Sequence, residues 1–165
     1  MVTTNCLTGR ANYLEEKKDK KRVIDIARAS SSLPYVCPIT YVDNIPMLDG
    51  GIVDSIPLLH SIQDGYEKNV VVLTRNRGYR KAVKDLKIPH FIYKKYPRLR
   101  VALSNRCRVY NEQLEMVEKM EEENKIIVIR PVKPVTVDRI EKDTNKLREF
   151  YEEGYTCAEQ VISKL

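Results

Sequence analysis

Two runs of consecutive apolar residues, V-V-V-L at 70–73 and I-I-V-I at 126–129, bracket a long amphipathic stretch. Each run is strand length and lacks polar alternation, the pattern of a strand covered on both faces in a parallel sheet. Between them Leu103, Cys107, Tyr110, Leu114 and Val117 recur at steps of four and three. That stripe predicts a helix from Arg98 to Glu123 with one buried face. Strand, helix and strand in this order form a crossover. A second helix ahead of Val70 supplies half of another, so the expected class is α/β. The acidic triplet Glu121 to Glu123 ends the long helix, where negative charge opposes the macrodipole, and only solubility speaks for it.

A chain of 165 residues can bury a real core, and 42% apolar with 32% charged residues reads as globular. The net charge of +6 leaves an anionic partner open. The 29 basic residues are scattered among 23 acidic ones, however. The densest cluster, K-K-D-K-K-R at 17–22, reads as a solvated helix start. Cysteines at 6, 37, 107 and 157 form no C-x-x-C, and only two histidines are present. No zinc site, calcium loop or other cofactor is therefore expected. Cys107 and Cys157 fall on apolar helix faces, as reduced core cysteines do. With neither a secretory leader pattern nor a membrane-length apolar run, a cytoplasmic location is expected.

In chain order, Val2 to Leu7 reads as a strand that Thr8-Gly9 turns toward a short return strand at Tyr13-Leu14. A strand beginning at the first residue suggests a chain cut from a longer domain. Lys20 to Ala29 reads as a helix ended by Ser30-Ser31-Ser32 and Pro34. The serines read as helix-end caps, because no Gly-x-Ser-x-Gly nucleophile elbow occurs in the sequence. Ile39 to Val42 and Met47-Leu48 are short strands around a V-D-N-I-P turn. Asp54 or Ser55 is expected to cap the next helix, which carries His60 as a structural residue and stops at Gly65. A short helix is expected at Lys81 to Leu86. Phe91, Tyr93 and Tyr96 alternate with basic residues. They can pack a loop onto the body, form a membrane-facing lid or stack on bases, and packing is preferred. Two capping boxes, Asp138 to Glu141 and Thr156 to Glu159, predict a C-terminal helical pair over 136–165, separated by Gly154. The first helix would bury Ile140, Leu147 and Tyr151, the second Cys157, Ala158, Val161, Ile162 and Leu165.

The sharpest local feature is P-M-L-D-G-G-I-V-D-S-I-P-L-L from Pro46 to Leu59. Asp49 is followed by Gly50 and Gly51, which allow positive φ or close backbone approach. Asp-Gly is also a common turn dipeptide, so an ordinary turn remains an alternative. Upstream stands R-A-S-S-S-L-P (28–34), downstream V-V-V-L-T-R (70–75). In this order the three segments resemble the second half of the patatin-like phospholipase family, in its bacterial branch, over a span from about Thr3 to the C-terminus.

The resemblance implies a partial three-layer α/β/α sheet, with the chain as one domain. It also implies a serine hydrolase working by a Ser–Asp dyad without histidine. Asp49 matches the dyad aspartate that takes the serine proton, and Gly50 and Gly51 match its turn. The half of the family carrying the nucleophile and the glycine-rich oxyanion loop has no counterpart here. The chain alone is accordingly expected to be inactive, since such groups act as a unit. The complete enzyme would act on a phospholipid or other acyl ester, with peripheral membrane contact as a secondary reading and nucleic acid not expected. A bare sheet edge would favour a homo-oligomer of the isolated chain. Two alternatives stand beside this one: a non-catalytic interaction or regulatory module descended from the hydrolase, and a basic domain that binds anionic surfaces.

Overall fold

The computed structural model describes residues 1–83, 88–89, 91–138 and 140–162. The chain divides into two compact units, Met1–Pro57 with Lys81–Leu114, and Leu58–Arg80 with Glu115–Leu165. Together they make a mixed α/β protein, as expected.

The first unit is built on a four-stranded antiparallel sheet. Its strands are β1 (Val2–Asn5), β2 (Ala11–Tyr13), β3 (Thr40–Val42) and β4 (Ile45–Asp49), in the order β2-β1-β4-β3. Gly9, at φ +65, turns β1 into β2, and a Cβ there would fall 2.6 Å from the Arg98 carbonyl oxygen. Asp43 and Asn44, both at positive φ, make the two-residue turn from β3 to β4. Paired left-handed residues suit the twist of a hairpin. Successive β4 side chains point to opposite faces. Met47 joins Ile26 and Ala29 of α1 (Lys20–Ser30), with Val42, in one buried cluster. Leu48 joins Cys6, Ile52, Leu99 and Leu103 in another. Leu99 and Leu103 belong to α3 (Pro97–Glu122). Helix, sheet and helix therefore form three layers here, although the strands run antiparallel. Burial pushes the Cys6 thiol up to about 11, and all four cysteines are free.

The basic cluster after Glu16 is partly paired with local acids. Asp19 caps α1 by accepting from the Lys21 and Arg22 N–H groups, and the Arg22 guanidinium donates to Asp43 and Glu16. Four hydrogen-bond donors, the Lys18 and Asp19 N–H groups first, then Arg22 and the Lys17 N–H, push Glu16 down to about 2. Of the aromatic segment, Tyr93 and Tyr96 pack against the Leu48–Leu99 cluster, and the Tyr93 hydroxyl accepts from the Tyr35 N–H at 2.9 Å. Phe91 is exposed. Of the helix expected at Lys81 to Leu86, residues 81–83 have no regular structure and 84–86 lie outside the described residues.

The second unit contains α2 (Leu58–Gln63), β5 (Val70–Val72), β6 (Ile127–Ile129) and α4 (Thr144–Ile162), with the end of α3. Strands β5 and β6 pair in parallel, Val70 with Ile127 and Val72 with Ile129. Burial of both faces does not hold, since Val71 is 9% exposed but Val70 and Val72 are 53% and 69% exposed. A run of valines satisfies β propensity whether one face is covered or two. The acidic end of α3 is answered by arginines: Glu121 pairs with Arg130, Glu122 with Arg77 and Glu118 with Arg80.

The expected C-terminal helical pair is instead one helix, α4. Asp143 caps it through the Asn145 N–H. Gly154 lies inside it, with helical periodicity unbroken on either side. Cys157 is buried, with Phe150, Glu153 and Val161 partly covered on the same stripe. Leu147, Tyr151 and Ile162 are exposed rather than buried, because a single helix keeps one phase and turns them off that stripe; Ile140, also exposed, precedes the helix. Arg139 and Leu165 lie outside the described residues. Among the described residues no helix is long and apolar enough to cross a membrane.

Candidate functional site

Asp49 ends β4 opposite Thr3 of β1. Its N–H donates to the Ser32 carbonyl at 2.9 Å, and its carbonyl accepts from the Thr4 hydroxyl at 2.7 Å. At φ −44 and ψ 128 the chain then leaves the strand for a 3₁₀ turn, Gly50–Ile52. The Asp49 carboxylate caps that turn, Oδ1 accepting from the Gly51 N–H at 2.7 Å. The side chain is half-buried. Among the described residues its Oδ2 accepts no hydrogen bond. One carboxylate oxygen is held by the turn.

The two glycines serve space rather than left-handed backbone, since neither has positive φ. A Cβ on Gly50 would lie 2.4 Å from the Val2 carbonyl oxygen, so β1 passes too close for any side chain. A Cβ on Gly51 would lie 3.1 Å from Asp49 Oδ1 and crowd the carboxylate itself.

Residues with no motif to announce them fix the turn. The Gly51 carbonyl accepts from the Ser55 hydroxyl at 2.8 Å and from Arg106 Nε at 3.0 Å. Gln113 Oε1 accepts from the Ser55 and Ile56 N–H groups, while its Nε2 donates to Asp54 Oδ1 at 2.6 Å. The Tyr13 hydroxyl donates to Asp54 Oδ2 at 2.6 Å. Desolvation first, then the bond and charge of Asp54, push that phenol up to about 12. Asp54 and Ser55 therefore brace the turn and do not cap α2, which begins only at Leu58, after Pro57. Arg106 and Gln113 each precede a member of the α3 stripe, Cys107 and Leu114. A polar side chain beside a buried stripe was the available signal, but nothing in it named a partner.

Two of the three serines bond helix-end carbonyls, and Ser30 bonds strand β1 instead. Ser30 donates to the Val2 carbonyl at 2.8 Å, Ser31 to that of Ala27 at 2.8 Å and Ser32 to that of Arg28 at 2.7 Å. Ser32 also shares a hydrogen bond with Thr40. The R-A-S-S-S-L-P segment thus reaches the site through backbone, by the bond from Asp49 to Ser32. His60 belongs to the second unit, 3.3 Å from the Asp64 carboxylate one turn on. Among the described residues no three His, Cys, Asp or Glu side chains are grouped to hold a metal ion.

Residues 5–62 match the family described as Patatin-like phospholipase. Residues 96–165 match a different one, Domain of unknown function (DUF6363). A search of the curated proteins found no match. The patatin match stops short of the V-V-V-L-T-R strand, which had been part of the resemblance. The segment that folds into the Asp49 turn lies within the stretch that matches the patatin-like phospholipase family, and the chain is consistent with a fragment of such an enzyme.

Proposed function

We propose that this chain carries the general-base part of a lipid acyl hydrolase that cleaves carboxylic esters with a Ser–Asp dyad. Asp49 is the base: its free oxygen would accept the proton of an attacking serine and return it to the leaving alcohol. Gly50 and Gly51 keep the turn compact enough to hold that carboxylate at the end of β4. The observation that carries the reading is the half-buried Asp49 carboxylate, anchored through one oxygen to the Gly51 N–H inside a patatin-like segment. No Gly-x-Ser-x-Gly occurs in these residues, so the nucleophile and oxyanion donors must be provided by other sequence. A base without them gives little rate.

The test has two arms. The chain alone should leave short p-nitrophenyl esters at the background rate; a higher rate, abolished by Asp49→Ala, would overturn the inactivity. Joined in frame to the Gly-x-Ser-x-Gly half of a patatin-like phospholipase, it should give an esterase, and Asp49→Asn should lower kcat by at least about 10³-fold. An active fusion indifferent to Asp49→Asn would remove the assignment.

A further inference from the structure

Helix α4 carries an apolar stripe that its own unit leaves uncovered. Leu147, Tyr151, Tyr155 and Ile162 are 42%, 70%, 59% and 62% exposed. At about 100° per residue they fall in one arc with Gly154 and Ala158, roughly 110° around the helix from the buried Cys157 stripe. The arc reads the same from both ends. About a midpoint between residues 154 and 155, Leu147 corresponds to Ile162, Tyr151 to Ala158, and Gly154 to Tyr155. Large residues at the ends and a large–small alternation inside are what a helix needs to pack antiparallel on itself, since an isologous contact must be self-complementary.

We propose that this face of α4 pairs antiparallel with α4 of a second copy of the chain, about a two-fold axis between Gly154 and Tyr155. Gly154 has nothing within 4 Å of a Cβ built there, and it gives the Tyr155 ring of the second copy a gap to enter. Charge selects the same partner and the same direction. Arg148 and Glu159 lie on one flank of the arc, and in an antiparallel pair like flanks meet. Each Arg148 then stands beside the Glu159 of the second copy, roughly 3 Å out of register along the axis and within reach of both long side chains. A parallel pair would instead bring unlike flanks together and part Arg148 from Glu159. The Cys157 stripe turns away from the arc, so the bodies of the two copies diverge. The strand-edge pairing expected from the sequence is a separate route and is not needed for this contact.

Sedimentation of the purified chain should show a dimer at about 0.1 mM. Tyr151→Glu, on a side chain 70% exposed, should keep the helical circular dichroism and weaken the dimer at least tenfold. Arg148→Glu should weaken it about tenfold, because two like-charge contacts replace two attractive ones. Glu159→Arg should do the same, and the two changes together should restore wild-type association. A wild-type monomer at that concentration overturns the pairing. So does a dimer unmoved by Tyr151→Glu, or a double charge swap that fails to restore it.

Discussion

The two units of this chain are held by different kinds of interaction. The first concentrates the large side chains that are almost completely buried: Thr3, Thr4, Cys6, Ile26, Met47, Leu48, Ile52 and Leu99 are all at or below 1% exposure, and among the largest such side chains of the described residues the second contributes Val117. The second relies on arginine–glutamate pairs and has a parallel strand pair with one face open. Its glycines also differ. Gly65, Gly78 and Gly154 have nothing within 4 Å of a Cβ, whereas Gly9 and Gly50 of the first unit are pressed against backbone. A well-packed region is where a carboxylate can be held in one geometry, and Asp49 is in that region. A region of charged pairs and open faces is better suited to contacts with other molecules.

The widest gap between the units should appear at the glycines. Gly50→Ala must move β1 or the turn, because the Val2 backbone cannot yield as a flexible side chain would. The expected cost is about 3 kcal/mol or more in urea unfolding, at the upper end for overpacking. Gly78→Ala meets open space and bears only its left-handed φ of +77, so about 1 kcal/mol is expected. Equal costs would mean that the packing contrast is not real. The cores should differ next. Leu48→Ala at 0% exposure should cost about 3–4 kcal/mol, and Val128→Ala at 9% about half that. Hydrogen exchange should follow the same order, with β1 and β4 amides protected longer than those of β5 and β6.

The sequence made the elements far more legible than their partners. Gly9, Asp43-Asn44 and the α3 stripe announced local structure, and local structure formed where they stood. Whether β5 would have both faces covered depended on what packs against it, which a run of valines does not encode. Gly154 read as a helix break because a lone glycine weakens a helix by about 1 kcal/mol, yet burial along the Cys157 stripe outweighs that. Asp49 was visible because its carboxylate precedes two glycines. Arg106 and Gln113 were not, since their roles depend on contacts across 55 or more residues of chain. The acidic end of α3 had no explanation in one dimension; Arg77, Arg80 and Arg130 provide it in three.

Gln113 probes the site within the first unit. One side chain accepts from two N–H groups and donates to Asp54, so Gln113→Ala leaves several polar groups without their partner. A loss of about 2–3 kcal/mol is expected. Gln113→Glu separates hydrogen bonding from charge: it retains acceptors for Ser55 and Ile56 but sets a carboxylate against Asp54. It should be no better than Ala at neutral pH and should recover as the pH falls and the new carboxyl protonates. A Gln113→Ala protein as stable as wild type would show that the brace on the Asp49 turn is decorative.

The smallest effect expected is electrostatic and belongs to the second unit. The Arg80 guanidinium, 2.7 Å from Glu118, holds that carboxyl below its ordinary value of 4.5, with the Gly78 N–H adding to the effect. A carboxyl whose pKa is lowered on folding stabilises the fold fully above the unfolded value. That contribution falls away as acid protonates the folded group. Arg80→Ala should therefore cost about 1 kcal/mol near pH 7, and the difference from wild type should shrink from pH 4.5 downward. The pair is partly exposed, so molar salt should reduce the neutral-pH difference as well. Arg22→Ala tests the contrast from the other side, because its pairs with Asp43 and Glu16 belong to the packed unit. If that unit is held by burial, this loss should be the smaller of the two. An Arg22→Ala cost exceeding that of Arg80→Ala would place the electrostatic dependence in the wrong half of the molecule.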